Sequence, residues 1–231
     1  MIAPTDDSAE RDRLVTVLLT VAVSAAGSVF FATRPWSDGR TAVALNAANA
    51  LIFGAHLLRR RGDPAVVRLL LFGLALGVVE LVADWLCVRF TGTLDYTPAR
   101  SALLWASPWW MPLAWMMVGT QVGYLGARFV ERVGVVRGAL LSALCGACLI
   151  PFYEEMAYYA HWWRYVDCKK VGHTPLYIIA AEAVIGLALG PLARLALREP
   201  SWRRAVLAGA LAGLSTIIGG LIGYGLMERI L

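Results

Sequence analysis

A chain of 231 residues with 59% hydrophobic and only 16% charged residues, at a mean hydropathy of +0.64, carries more apolar surface than one water-soluble core can hide. An ordinary soluble enzyme is therefore excluded. The net charge of +5 and pI near 9.2 would suggest a nucleic-acid partner in a soluble protein, but the arginines sit between the apolar runs, where membrane topology accounts for them and no nucleic acid is expected.

The expected fold is all-α: one polytopic membrane helix bundle over residues 1–231, with about seven transmembrane helices. Windows of roughly 20 apolar residues, the length that crosses about 30 Å of hydrocarbon, fall near 14–32, 41–58, 65–88, 108–127, 135–157, 174–193 and 205–227. Before the first window, Asp6, Asp7, Glu10 and Asp12 mix with Arg11 and Arg13, so the start lacks the purely basic region of a signal peptide. Ser24-Ala25-Ala26-Gly27 imitates a cleavage site inside a long apolar stretch, and the reading is an uncleaved first span. The second window carries Asn46 and Asn49, the third Glu80 and Asp84, the fourth Gln121. In the fifth, Glu154 and Glu155 follow Pro151; the sixth holds Glu182. Pairs of glycines four apart, Gly186 and Gly190, Gly209 and Gly213, Gly219 and Gly223, predict close helix packing without functional content.

The tail and the second, fourth and sixth loops hold most of the 21 lysines and arginines, including Arg59-Arg60-Arg61. The positive-inside bias predicts an integral, multi-pass protein with a cytoplasmic N-terminus and an external C-terminus. The third and fifth loops then lie outside and hold or border Asp95, Tyr96, Trp105, Trp109, Trp110, Trp162 and Trp163, which a single interfacial aromatic belt also explains.

A carboxylate at mid-membrane costs about 2.5–3.5 kcal/mol even on a lenient scale, so each calls for a partner or a purpose. In the inferred topology Glu80, Asp84, Glu154, Glu155, Glu182, Asn46 and Asn49 all come to the outer half, which predicts one polar pocket. Span ends drawn too long would instead leave Glu154 and Glu155 in water. At helical spacing Tyr158 and His161 share the face of Glu154, and Tyr159 and Trp162 that of Glu155. An acid beside aromatic faces suits a carbocation, whose charge a π face stabilises without trapping it. A retinal protein is excluded because the only lysines, Lys169 and Lys170, lie in a loop; a paired-glutamate intramembrane protease would need arginine where Tyr159 stands. Glu154, Glu155, Glu182 and His161 could hold a hard cation, but no Asp-rich diphosphate motif is present, so neither metal nor cofactor is expected. Cys145 and Cys148 read as small core residues, while Cys87 and Cys168 share one side and could pair in an oxidising compartment.

The stretch from Glu155 through Trp162, Trp163 and Tyr165 to Gly172-His173-Thr174-Pro175-Leu176-Tyr177 resembles a segment of bacterial and archaeal carotenoid hydratases, over about 35 residues. Heterodimeric-type lycopene cyclases and the membrane cyclases of meroterpenoid and indole-terpenoid pathways look similar in span count and buried acids. Met156 stands where the hydratases tend to have proline, and their asparagine after the turn is missing, with Ile178 and Ile179 in that region. The resemblance implies acid-initiated chemistry on an isoprenoid alkene or epoxide.

The leading expectation is a membrane-embedded isoprenoid-modifying enzyme, a cyclase of lyase or isomerase type acting on a lipophilic substrate from the bilayer. Its acid and base candidates are Glu80, Asp84, Glu154, Glu155 and Glu182. Asn46, Asn49 and Gln121 would orient the substrate, and Trp109, Trp110, Tyr158, His161, Trp162 and Trp163 would line its pocket. A homo-oligomer is compatible with that role. Two other readings stand beside it: a proton-coupled transporter of small molecules, and a non-catalytic membrane assembly protein.

Overall fold

The computed structural model describes residues 7–198 and 200–230; Asp6 of the acidic tail lies outside them. Among the described residues seven helices follow one another: α1 (Asp7–Ala32), α2 (Gly39–Arg59), α3 (Pro64–Trp85), α4 (Met111–Val133), α5 (Val135–Tyr159), α6 (Leu176–Arg198) and α7 (Trp202–Tyr224). Wider π turns extend α3 over Leu86–Phe90 and α7 over Gly225–Ile230. The helices alternate in direction. At one end Arg13 meets Asp63, the Tyr124 hydroxyl donates to Glu10 at 2.6 Å and Arg198 meets Glu131. At the other, the Trp162 indole donates to Thr41 at 2.8 Å and Arg164 meets Asp95.

Six of these helices, all but α4, are long and apolar enough to cross a membrane, which makes this a multi-pass integral membrane protein. At about 1.5 Å per residue, the 23 residues of α4 also reach across. Its composition is more polar because it lies inside the bundle against α3, α5 and α6. Gly119, Thr120, Gln121, Gly123 and Gly126 are buried there, and a span shielded by neighbours need not satisfy lipid all round. Its start is Met111 rather than residue 108, because Ser107–Pro108 forms a strand and Pro112 sits in the first turn, where its missing N–H costs nothing.

The principal core joins Phe53 of α2, Leu69, Phe72 and Leu76 of α3, Tyr124 of α4, Ile185 and Leu189 of α6, and Ala205, Ala208 and Ala212 of α7. Glycines set the separations. A Cβ on Gly73 or Gly77 of α3 would stand 2.3 Å from the carbonyl oxygen of Met116 or Pro112 on α4, and one on Gly209 of α7 would stand 2.1 Å from that of Phe72. Packing is thus sufficient to account for the glycine pairs read from the sequence.

Among the described residues, six two-residue strands build the connections at one end of the bundle. β1 (Leu94–Asp95) pairs with β4 (Arg164–Tyr165), β2 (Leu103–Leu104) with β3 (Ser107–Pro108), and β5 (Lys170–Val171) with β6 (Thr174–Pro175). The β1–β4 ladder is long-range, setting Leu94 opposite Tyr165 and Asp95 opposite Arg164. It ties the connection after α3 to the one after α5 in a cap.

The opposite, arginine-rich end is closed by ion pairs. Asp63 caps α3 through the Ala65 N–H at 3.0 Å, receives both Nε and Nη2 of Arg13 at 2.7 and 2.9 Å, and meets His56 Nε2 at 3.2 Å. Arg60 and Arg59 converge on Asp12, and Arg128 reaches Glu10 at 2.6 Å. Burial pushes the Asp63 carboxyl up, but Arg13, His56 and the Ala65 N–H outweigh it and hold it below the usual carboxylate range. Its folded value being depressed, its contribution is complete above the unfolded range and is lost as pH falls through the folded value. Asp63→Asn is expected to cost about 3 kcal/mol at neutral pH, the scale of a broken buried pair. It should also flatten the acid limb of a thermal-unfolding series in detergent; an acid limb as steep as wild type would assign that limb to other groups.

Candidate functional site

Below the β1–β4 cap, four carboxyl groups from three helices come together. Glu80 and Asp84 lie one turn apart near the end of α3, Glu154 near the end of α5, and Glu182 in the second turn of α6. Asp84 and Glu182 both act electrostatically on Glu80, and the Trp115 indole from α4 lies within hydrogen-bonding reach of its carboxyl group. Glu154 is within similar reach of Asp84 and Glu182. Glu80, Asp84 and Glu154 are buried, whereas Glu182 keeps part of its surface. Among the described residues no cationic side chain lies within 4 Å of any of the four; the ion pairs at this end belong to Asp38, Asp95 and Glu155.

The cap supplies neutral donors instead. Tyr96, which follows β1, donates its hydroxyl to Asp84 Oδ2 at 2.6 Å, and Ser107 of β3 donates to the same oxygen at 2.7 Å. Burial, with the Asp84 and Glu80 carboxyls behind it, pushes the Tyr96 phenol well above its ordinary value, so it remains a donor. The Trp163 indole donates to Glu154 Oε2 at 2.6 Å and the Tyr165 hydroxyl to Oε1 at 3.4 Å. Glu80 is the exception: its Oε2 is buried with no hydrogen-bond partner. The rings of Tyr96, Trp110, Trp162 and Trp163 pack over this region, with Trp163 edge-on to Tyr96 at 6.4 Å and tilted against Trp110 and Trp162 at 6.5 and 6.2 Å.

Glu155, expected among the acids, is elsewhere. About 100° round the helix from Glu154, it accepts the His173 N–H at 2.6 Å and meets His173 Nδ1 at 2.7 Å. It thereby caps the β5–β6 turn, whose Gly172 (φ +61°) has no room for a Cβ beside Glu155 Oε1. Glu155→Ala is expected to loosen this hairpin, costing about 1 kcal/mol and raising tryptic cleavage at Lys169 and Lys170. An unchanged cleavage rate would remove that role.

Other expectations also separate. Asn49 Nδ2 and Gln121 Nε2 both donate to Ser24 Oγ, at 2.9 and 3.2 Å, forming a buried polar contact of α1, α2 and α4, while Asn46 bonds back to the Ala42 carbonyl. These three have no hydrogen bond to the acids. Trp109 is largely exposed, and the Trp110 and Trp162 indoles donate to Ser101 and Thr41 rather than to a carboxyl group. The helical-face argument fails for His161 because α5 ends at Tyr159 and His161 turns left-handed at φ +55°. His161 Nδ1 lies 3.3 Å from the Ser37 carbonyl oxygen, and Tyr158 stacks on His173 at 3.5 Å. The cation set of Glu154, Glu155, Glu182 and His161 is thereby dispersed. Cys87 and Cys168 are free thiols, and Cys87 accepts from the Tyr177 hydroxyl at 3.8 Å.

The residues unforeseen at the site are Ser107 and Trp115 and the specific roles of Tyr96 and Tyr165. Apart from Trp115, which lies on α4, their only signal in the sequence is the aromatic richness of the two capping connections.

Compared with known proteins, residues 81–227 match a family described as a domain of unknown function (DUF6989). No curated protein and no solved structure matches the chain.

Proposed function

The chain belongs to the DUF6989 family, whose matched region includes Asp84, Glu154 and Glu182, and we propose that it is a membrane-embedded isoprenoid-modifying enzyme, a cyclase driven by carboxylic-acid protonation. The observation that carries this reading is the buried, unpartnered Glu80 oxygen within a cluster of four electrostatically linked carboxyl groups that, among the described residues, have no counter-cation within 4 Å. Four such groups in an apolar interior cannot all be charged, so the cluster retains protons to donate.

In the proposed reaction Glu80 protonates a terminal alkene or epoxide, and the π electrons of the chain close the ring onto the resulting cation. Trp115, Tyr96 and Trp163 offer π faces to that charge. Asp84, held by Tyr96 and Ser107, or Glu154, held by Trp163 and Tyr165, accepts the terminating proton, so the product is an isomer of the substrate. The partly exposed Glu182 marks the side from which a lipophilic substrate would enter. The arginine-rich end is assigned to the cytoplasm by its charge, placing the acids toward the outer leaflet.

The test is incubation of the solubilised protein with a linear polyprenyl olefin and its terminal epoxide, in H2O and D2O, with products read by chromatography and mass spectrometry. The reading expects an isomeric product carrying solvent deuterium, lost in Glu80→Gln. No turnover of any polyprenyl substrate by the wild type would sink it. Proton-dependent uptake of solutes, lost in the same variants, would favour a transporter.

A further inference from the structure

A second site lies at the same end of the bundle, outside the acid cluster. The segments that follow α1, β1 and α5, with the last turn of α5, line an open cavity of about 630 Å³ whose walls include Arg34, Arg100, Arg164, His161, Tyr158 and Tyr159. That volume falls within the roughly 300–1,000 Å³ of small-molecule sites and exceeds what a bare phosphate needs.

Its charge is unbalanced. Arg164 is paired, its guanidinium lying 2.8 Å from Asp95. Arg34 and Arg100 have no carboxylate within 4 Å among the described residues, and Asp38, the acid nearest in sequence to Arg34, is already held by Arg40 at 2.8 Å. The Arg34 guanidinium stacks over the Phe30 ring at 4.2 Å, and its Nε is buried without a hydrogen-bond partner. Asp38 also acts electrostatically on Arg100, so that with Arg40 included four guanidinium groups share two carboxylates, Asp95 and Asp38. Arg100 and His161 both hold left-handed backbone, at φ 50° and 55°, a conformation that non-glycine residues adopt only when their surroundings impose it.

We infer that this cavity binds the phosphate group of an anionic amphiphile, with Arg34 and Arg100 as its principal ligands. Guanidinium groups present paired N–H donors that match phosphate oxygens. The cavity opens where α1 and α5 end, at the level of the membrane interface, and the exposed Val29 and Phe30 of α1 lie one turn into the bilayer from Arg34. A head held by the arginines would place its tail along that apolar surface. The inference does not depend on the chemistry of the acid cluster.

The test uses the full chain in detergent, with two probes. One arm measures retention of phosphatidic acid by native mass spectrometry after reconstitution in phosphatidylcholine vesicles with and without phosphatidic acid. The other measures whether inorganic phosphate or pyrophosphate displaces it. Wild type is expected to retain phosphatidic acid over phosphatidylcholine, and Arg34→Gln/Arg100→Gln to bind at least about tenfold more weakly, the loss of one or more charge-assisted hydrogen bonds. Arg132→Gln, on the opposite end, is expected to match wild type. Displacement by soluble phosphate would show that the phosphate alone suffices; retention against it would assign the site to a lipid. Equal retention in wild type and the double variant, or an equal loss in Arg132→Gln, would overturn the inference. Should the double variant not fold, Arg100→Gln on its exposed turn gives the same readout.

Discussion

Glu80→Gln is expected to lower product formation by about 10²–10⁴-fold, the usual share of a general acid, while leaving the fold as stable as wild type or more so. The two outcomes together identify the role. Glu80 makes no ion pair, and its Oε2 has no partner to lose. An amide of the same shape is neutral, as the proton-donating acid is, so it adds no charge beside Asp84 and Glu182. A structural acid would behave oppositely, since breaking a buried pair destabilises by several kcal/mol. Asp84→Asn is expected to cost less activity than Glu80→Gln, because Tyr96 and Ser107 can still donate to an amide oxygen. Glu131→Gln, among the ion pairs of the opposite end, should leave turnover unchanged. Product yields and melting temperatures from the same preparations decide the matter. A Glu80→Gln protein that unfolds early, or that turns over normally, would end the assignment of Glu80 as donor.

Gly209→Ala should destabilise the bundle by about 2–3 kcal/mol, at the upper end of typical overpacking costs. Its new methyl carbon would stand 2.1 Å from the Phe72 carbonyl oxygen and 2.8 Å from the carbonyl carbon. Those are backbone atoms of α3, which cannot rotate aside as a side chain does. Relief requires α3 and α7 to separate, opening the core at Phe72 and Ala208. Gly220→Ala, on the same helix but with nothing within 4 Å of the added carbon, is the control. There the gain in helix propensity, up to about 1 kcal/mol, is expected to leave stability equal or raised. Denaturation of both variants in one detergent measures the contrast, and equal midpoints would show that α3 and α7 are not held at contact distance by this glycine.

Helix number and approximate limits, glycine spacing and the common depth of Glu80, Asp84, Glu154 and Glu182 were legible in the sequence. Each follows from a local rule: the thickness of hydrocarbon sets span length, 3.6 residues per turn sets faces, and alternating direction sets depth. Depth does not determine direction around the helix axis, however. Glu154 and Glu155 share a depth, yet one accepts the Trp163 indole at the acid cluster and the other holds the β5–β6 turn through His173. Asn49 and Gln121 likewise turn to Ser24.

Only the tertiary structure decided what covers the acids and what lies beside them. Two-residue strands carry almost no sequence signal, because their stability comes from the partner rather than from their own propensity. The Leu94–Tyr165 and Asp95–Arg164 pairings join segments some 70 residues apart, and they bring Tyr96 and Tyr165 onto carboxyl groups of α3 and α5. The same closure gathers Arg34, Arg100 and Arg164, from three separate connections, around one cavity. Hydrophobicity determined by itself that this chain crosses the membrane and how deep its acids lie. Which side chains meet there depends on long-range pairing, whose energy exists only once both segments are in place.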